Sequence, residues 1–174
     1  MKLKIVLCVV FGLYFSDVVL SQEKFLKKAY EYQKQNNWIE SKDALEKYQI
    51  KVGDGFDAFF VYLRANYYHK SSDIKPFLFY DLITSAYDLL SKTELSKKEK
   101  YCSEYNFCDK NIKQDIKAAS LMIFKHYEKI NDINDWEDFI LKYSKYADNL
   151  KLKAKKHIEE IDYKTALSIN SLNA

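Results

Sequence analysis

The sequence predicts an all-α chain of stacked antiparallel helical hairpins, an α-solenoid of about eight helices. Three observations lead there. Apolar residues recur at steps of three and four along almost the whole chain, the period of a helix face. Only three glycines and one proline interrupt 174 residues, so little breaks a helix once it starts. A sandwich or barrel would need a turn signal roughly every 8–12 residues, and these are missing. A composition of 48% apolar and 30% charged residues also excludes disordered and collagenous chains. Three cysteines are too few for a disulfide-dense miniprotein.

The elements follow in order. Phe25, Ala29 and Tyr32 share a face of a first helix that stops at Asn36-Asn37. Trp38, Ser41, Leu45, Tyr48 and Val52 form the second stripe, ended by Gly53-Asp54-Gly55, where glycine supplies the positive φ of a helix end. Phe56, Phe59, Phe60, Leu63 and Tyr67 make the third, widened by Val61, Tyr62 and Ala65, so this helix is expected to be buried on more than one side. Ser71-Ser72-Asp73 offers caps for a fourth helix with Pro76 in its first turn, carried by Phe79, Ile83, Ala86 and Leu90 to Ser91. Ser96-Lys97-Lys98-Glu99 matches a capping box for a short fifth helix ending near Tyr105. Asp109 is the expected cap of a longer sixth, with Ile112, Ile116, Ala119, Ile123, Tyr127 and Ile130 inward. Ile133, Trp136, Phe139, Ile140 and Tyr143 form the seventh stripe. After a break near Ser144, Ala147, Leu150, Ala154, Ile158 and Ile161 form the eighth.

Residues 1–21 read as a secretory signal peptide: Lys2 and Lys4, an apolar run from Ile5 to Phe15, and a cut between Ser21 and Gln22. From Ile5 to Leu20 there are about 16 residues, interrupted by Asp17, short of the roughly 20 that span a bilayer. Cys8 lies too early in the run, behind too large a Leu7, for lipid attachment. The helical-repeat domain is therefore 22–174, exported to the periplasm or cell envelope, or secreted, with no membrane span once the leader is gone. Loss of Lys2, Lys4 and Asp17 lowers the net charge from +3 to +2. Nucleic-acid binding would call for a clear basic excess. Arg64 is the sole arginine, so the lysines read as a solvated surface.

One segment repeats. Ile130-Asn131-Asp132-Ile133-Asn134 returns as Ile169-Asn170-Ser171-Leu172-Asn173 after a period of about 39 residues, and Phe124-Lys125 returns as Tyr163-Lys164. The period falls among helical-hairpin repeats. In this reading Ile closes one helix on the core side, Asn turns the chain, and Asp or Ser caps the next helix. The second copy reaches Ala174 where the aromatic of the first copy would come, so the chain is expected to continue in a longer protein.

Residues 25–53, with Ala29, Tyr32, Asn37-Trp38, Ser41 and Leu45, resemble a tetratricopeptide-type repeat, departing from it at Tyr48 and in lacking a closing proline. Residues 124–174 resemble the divergent helical repeats of envelope proteins of Bacteroidetes-type bacteria, in which an Ile-Asn-x-Ile/Leu-x turn precedes an aromatic helix. The resemblance implies a tetratricopeptide-like solenoid whose repeats are protein-interaction surfaces.

Candidate chemistry is sparse. Cys102 and Cys108 remain after export and are the expected disulfide. On one straight helix they would stand about 9 Å apart, so the bridge requires a break near Asn106. A zinc site using both with His126 lacks a fourth ligand. His69, His126 and His157 show no metal-ligand spacing, and His157 beside Glu159 and Glu160 reads as a solvated edge. Asp54 and Asp57 lack the alternating acidic ligands of a calcium loop, and no phosphate, dinucleotide or nucleophile-elbow motif occurs. No cofactor or metal is expected. Most of the tyrosines and phenylalanines read as core. Tyr30, Tyr67, Tyr68, Tyr101, Tyr105 and Tyr146 fall less cleanly on the stripes and are the candidate binding surface, since tyrosine offers ring area with a directional hydroxyl. The expected role is a non-enzymatic protein-interaction or scaffolding segment. The alternatives are a small-ligand or glycan binder, or the docking arm of an enzyme whose catalytic domain lies beyond Ala174.

Overall fold

The computed structural model describes residues 23–53 and 55–172. The expected signal segment and its expected cut at Ser21–Gln22 lie outside them, as does Asp54. Among the described residues there are eight helices and no strand. They are α1 (23–34), α2 (Trp38–Val52), α3 (Ala58–Lys70), α4 (Pro76–Ser91), α5 (Leu95–Tyr105), α6 (Asp109–Ile130), α7 (Ile133–Asp138) and α8 (Asp148–Leu172). A π-helical segment, Phe139–Tyr143, extends α7. None of the described helices is long and apolar enough to cross a membrane.

Three turns use asparagine as the left-handed residue, and Tyr146, φ 61°, takes that conformation before α8. Asn36, Asn106 and Asn131 have φ of 58°, 55° and 55°, a region in which asparagine is tolerated better than most residues. Gly53 has φ 65° at the end of α2. Asp57 caps α3 by accepting from the Phe59 N–H at 2.8 Å, and Asp132 caps α7 through Asn134 N–H at 2.8 Å. Pro76 stands in the first turn of α4.

Several sequence expectations are corrected at these ends. Ser71 ends α3 and its Oγ accepts from Asp73 N–H, while α4 starts after Lys75 with no side-chain cap. The Ser96–Glu99 box does not form, because α5 begins two residues earlier, after Glu94, and places Ser96 inside the helix. Cys108 precedes α6, which makes Asp109 its first residue rather than its cap; there the carboxylate still faces the positive end of the helix dipole. Phe56 lies before α3, half-exposed. Ile130 is 53% exposed, so it does not close α6 on the core side. The second copy of the repeat makes no turn: α8 stays helical through Leu172. In the first copy the turn at Asn131 is fixed by Asp132 and by the indole of Trp136, which donates to Asn131 Oδ1 at 3.1 Å. The second copy has Ser171 in place of the aspartate.

Helices adjacent in sequence mostly pack together: α2 on α3, α3 along α4, α6 against α7, and α7 against α8. The exception is α5. It steps out of the hairpin order, so α4 packs directly along α6, while Tyr101 and Tyr105 of α5 stack on Phe59 of α3 at 5.3 and 4.4 Å. The core runs through the molecule from Leu26 and Ala29, past Phe59, Leu63, Phe79 and Ile83, to Ile116, Ile123, Trp136 and Ala154.

Tyr101 anchors α5. Its hydroxyl donates to both carboxylate oxygens of Asp57, at 2.7 Å each, while Lys97 reaches Asp57 Oδ2 at 2.7 Å. One aspartate thus starts α3 and holds α5 across it. Asp57→Ala removes a cap worth about 0.5–2 kcal/mol and leaves a buried hydroxyl without its acceptor, about 1–3 kcal/mol. The exposed Lys97 adds little. We expect a loss of about 2–3 kcal/mol in urea unfolding, and less than half of that for Asp57→Asn, which keeps an acceptor at both places.

Burial raises the phenols of Tyr101, Tyr48, Tyr105 and Tyr127, the last three to about 12. A folded value above the unfolded one, near 10, means that their contribution is complete below pH ~10. It is lost as pH rises toward ~12. Helicity followed by circular dichroism should therefore fall together with the rise of phenolate absorbance; helix loss complete while the phenols stay protonated would contradict this.

Candidate functional site

The Cys102–Cys108 disulfide closes the corner between α5 and α6, with Cα atoms 4.7 Å apart. The helix break that it requires is at Asn106, whose left-handed conformation ends α5. The short loop holds Phe107 fully buried and turns Tyr105 and Asn106 toward a cleft. Asn111 Nδ2 donates to the Asn106 carbonyl at 2.8 Å and fastens the loop from the α6 side. Replacing both cysteines by serine should cost about 2 kcal/mol, or roughly 4–8 °C in Tm, read by thermal unfolding with and without reductant; an unchanged Tm would show that the loop is held by Phe107 and Asn111 alone.

The cleft lies between α1, the start of α2, α3 and α5, and holds about 210 Å³. Its rings are Tyr30, Trp38, Tyr62 and Tyr105. Tyr30 and Tyr105 meet edge to face at 5.1 Å, and both rest on Phe59. Three carboxamides, Gln33, Asn66 and Asn106, stand among them. Gln33 Nε2 donates to the Leu63 carbonyl at 2.8 Å and to Ser41 Oγ at 3.1 Å, which fixes the side chain across α1, α2 and α3. Tyr62 and Asn66 are one turn apart on α3; burial raises the Tyr62 phenol and a hydrogen bond from Asn66 opposes the rise.

Two lysines, Lys34 and Lys70, complete the lining. Lys34 lies 3.8 Å from Glu31 and 5.5 Å from the Tyr30 ring centroid. Lys70 acts on Asp115 of α6: burial raises the Asp115 carboxyl and the Lys70 charge opposes the rise. The Tyr105 phenol, raised by burial and by its bond to Glu104, remains an O–H donor at neutral pH.

The six expected tyrosines do not form one groove. Tyr30 and Tyr105 share this cleft. Tyr67 and Tyr68, 5.3 Å apart, line a smaller cleft of about 100 Å³ with Arg64 and Leu45 on the other side of α3. Tyr146 meets Tyr87 at 5.8 Å near α4, with Lys113 and Lys145 over the two rings. Tyr101 is buried, 5% exposed, and belongs to the core because Asp57 accepts its hydroxyl there. The sequence reading missed Trp38, Gln33, Asn66 and Asn106 as a group. The one visible signal was Tyr62, Asn66 and Lys70 at four-residue steps, a polar-aromatic row on a helix otherwise buried.

The histidines are placed by rings. His157 lies parallel to Trp136 at 4.5 Å, half-buried rather than on a solvated edge. His69 lies parallel to Phe79 at 4.4 Å, and burial lowers its pKa. His126 meets the edge of Phe77 at 5.4 Å. Among the described residues no cluster of three His, Cys, Asp or Glu side chains is placed to hold a metal.

No family model, curated protein or solved structure matches this chain.

Proposed function

We propose that this chain is a non-enzymatic protein-interaction module, a tetratricopeptide-like helical-repeat segment of an exported bacterial envelope protein. One observation carries the reading: the outer half of α8 presents apolar side chains with no helix over them. Ile158 and Ile161 are partly covered by the core, but Tyr163, Leu167 and Ile169 are 66%, 50% and 53% exposed. Tyr163 and Leu167, four residues apart, share one face of α8, while Ile169 lies on the other side; exposed apolar surface favours association, and a helix face is a common docking element. Two further features support the setting. The disulfide is stable in oxidising compartments. In the first hairpin the small Ala29 and Ser41 are fully buried, which suits close approach of paired helices.

The test is site-specific photo-crosslinking from position 163 in the producing cell. The reading expects one discrete protein partner, lost on Leu167→Asp while helicity is kept. A folded chain that crosslinks to nothing, or equally to everything, would remove the reading.

A further inference from the structure

We infer that the cleft between α1, α2, α3 and α5 is a binding site for a neutral sugar, one hexopyranose unit, on a face separate from the outer half of α8. Size sets the first limit. Sites for drug-sized ligands run to roughly 300–1,000 Å³, and about 210 Å³ suits a single small ring. The rings set the second. A pyranose has an apolar C–H face and a rim of hydroxyls; the faces and edges of Tyr30, Trp38 and Tyr105 offer flat apolar area for the one. The carboxamides match the other: Gln33, whose two N–H groups are taken by Leu63 and Ser41, offers its oxygen as an acceptor, and Asn66 and Asn106 bring groups that donate as well as accept, as a sugar hydroxyl does.

Charge chooses between a neutral and an acidic ligand. A carboxylate would have to compete with Glu31 for Lys34, which already faces it at 3.8 Å, and the three carboxamides outnumber the two lysines in the lining. Backbone geometry argues against an extended peptide. The walls are helices whose N–H and C=O groups are used internally, so no edge is offered for strand addition. The site is also built in advance. Gln33 is tied to Leu63 and Ser41, and the disulfide with Asn111 holds the loop that carries Asn106. Such preorganisation reduces the ordering cost of binding.

The experiment is saturation-transfer NMR and calorimetry on the oxidised chain with glucose, galactose, N-acetylglucosamine, their β-linked oligomers, glucuronate and an extended tripeptide. At least one neutral sugar should bind, with transfer strongest at its C–H protons. Trp38→Ala should weaken it by about tenfold or more, Trp38→Phe should restore much of the loss, and Tyr146→Ala, at a remote site, should change nothing. Oligomers that bind more tightly than the monomer support a polysaccharide source, and equal binding supports the free sugar. The inference is overturned if no neutral sugar binds, if glucuronate or the peptide binds better, or if folded Trp38→Ala and Asn66→Ala chains both bind as the native chain does.

Discussion

Phe59→Ala should destabilise the chain by about 3–5 kcal/mol, the range for deleting a buried phenyl ring. Against a total of roughly 5–15 kcal/mol for a domain, that is a third or more of what holds it folded. Phe59 is 1% exposed and sits where three helices and the disulfide corner meet. Its ring contacts Tyr105 at 4.4 Å, Tyr101 at 5.3 Å, Phe107 at 5.7 Å and Tyr30 at 6.0 Å. Removing it leaves α5 resting on a void, and the neighbours are too well fixed to close it. Tyr101 is pinned to Asp57, and Phe107 is held by the disulfide loop. Phe56→Ala, half-exposed and outside α3, should cost about 1 kcal/mol or less. Urea unfolding of the two variants gives the comparison. Because Phe59 and the disulfide share Tyr105 and Phe107, Phe59→Ala combined with the double serine variant should depart from additivity. A cost for Phe59→Ala close to that of Phe56→Ala would mean that α5 is not docked on α3.

Why the stripes of α3, α4 and α6 were legible is clear from their inward residues. Phe59, Leu63, Phe79, Ile83, Ile112, Ile116 and Ile123 are all buried because the helical period alone puts them on one face, and no other force competes. Helix ends were less legible. A serine or aspartate in sequence says only that a cap is possible; where the helix starts is decided by packing, earlier than the expected cap at Glu94 before α5 and later than the expected caps at Lys75 before α4. The left-handed asparagines show the better case. At Asn36, Asn106 and Asn131 the residue type and the turn coincide, and the disulfide expectation depended on the middle one.

The cleft was harder to read for a physical reason. Its members come from α1, α2, α3 and α5, and they meet only because α5 leaves the hairpin order to lie on α3. That step depends on a hydrogen bond between residues 44 apart, Tyr101 to Asp57, which no periodicity contains. The same bond explains why Tyr101, off the apolar stripe, is core and not surface. Asp57 itself looked like a failed calcium ligand, whereas its carboxylate is used by the start of α3, Tyr101 and Lys97 together.

Trp136→Ala should cost about 3–5 kcal/mol, and its partner variant separates the two jobs of the indole. The side chain is fully buried among Phe124 at 5.0 Å, Phe139 at 6.5 Å and the parallel imidazole of His157 at 4.5 Å, so it links α6, the end of α7 and α8. Its Nε1 also donates to Asn131 Oδ1 at 3.1 Å, bracing the left-handed turn before α7. Trp136→Phe keeps a ring and loses that donor. Asn131 is exposed, so water can replace the lost partner, and the substitution should cost about 1–2 kcal/mol, mostly as the volume of the missing ring. If packing governs, Trp136→Ala falls well below Trp136→Phe in stability and α8 loses protection from hydrogen exchange together with the end of α6. If the hydrogen bond governs, the two variants fall together and Asn131→Ala matches them. Equal losses in all three would move the origin of the repeat turn from the buried ring to the asparagine itself.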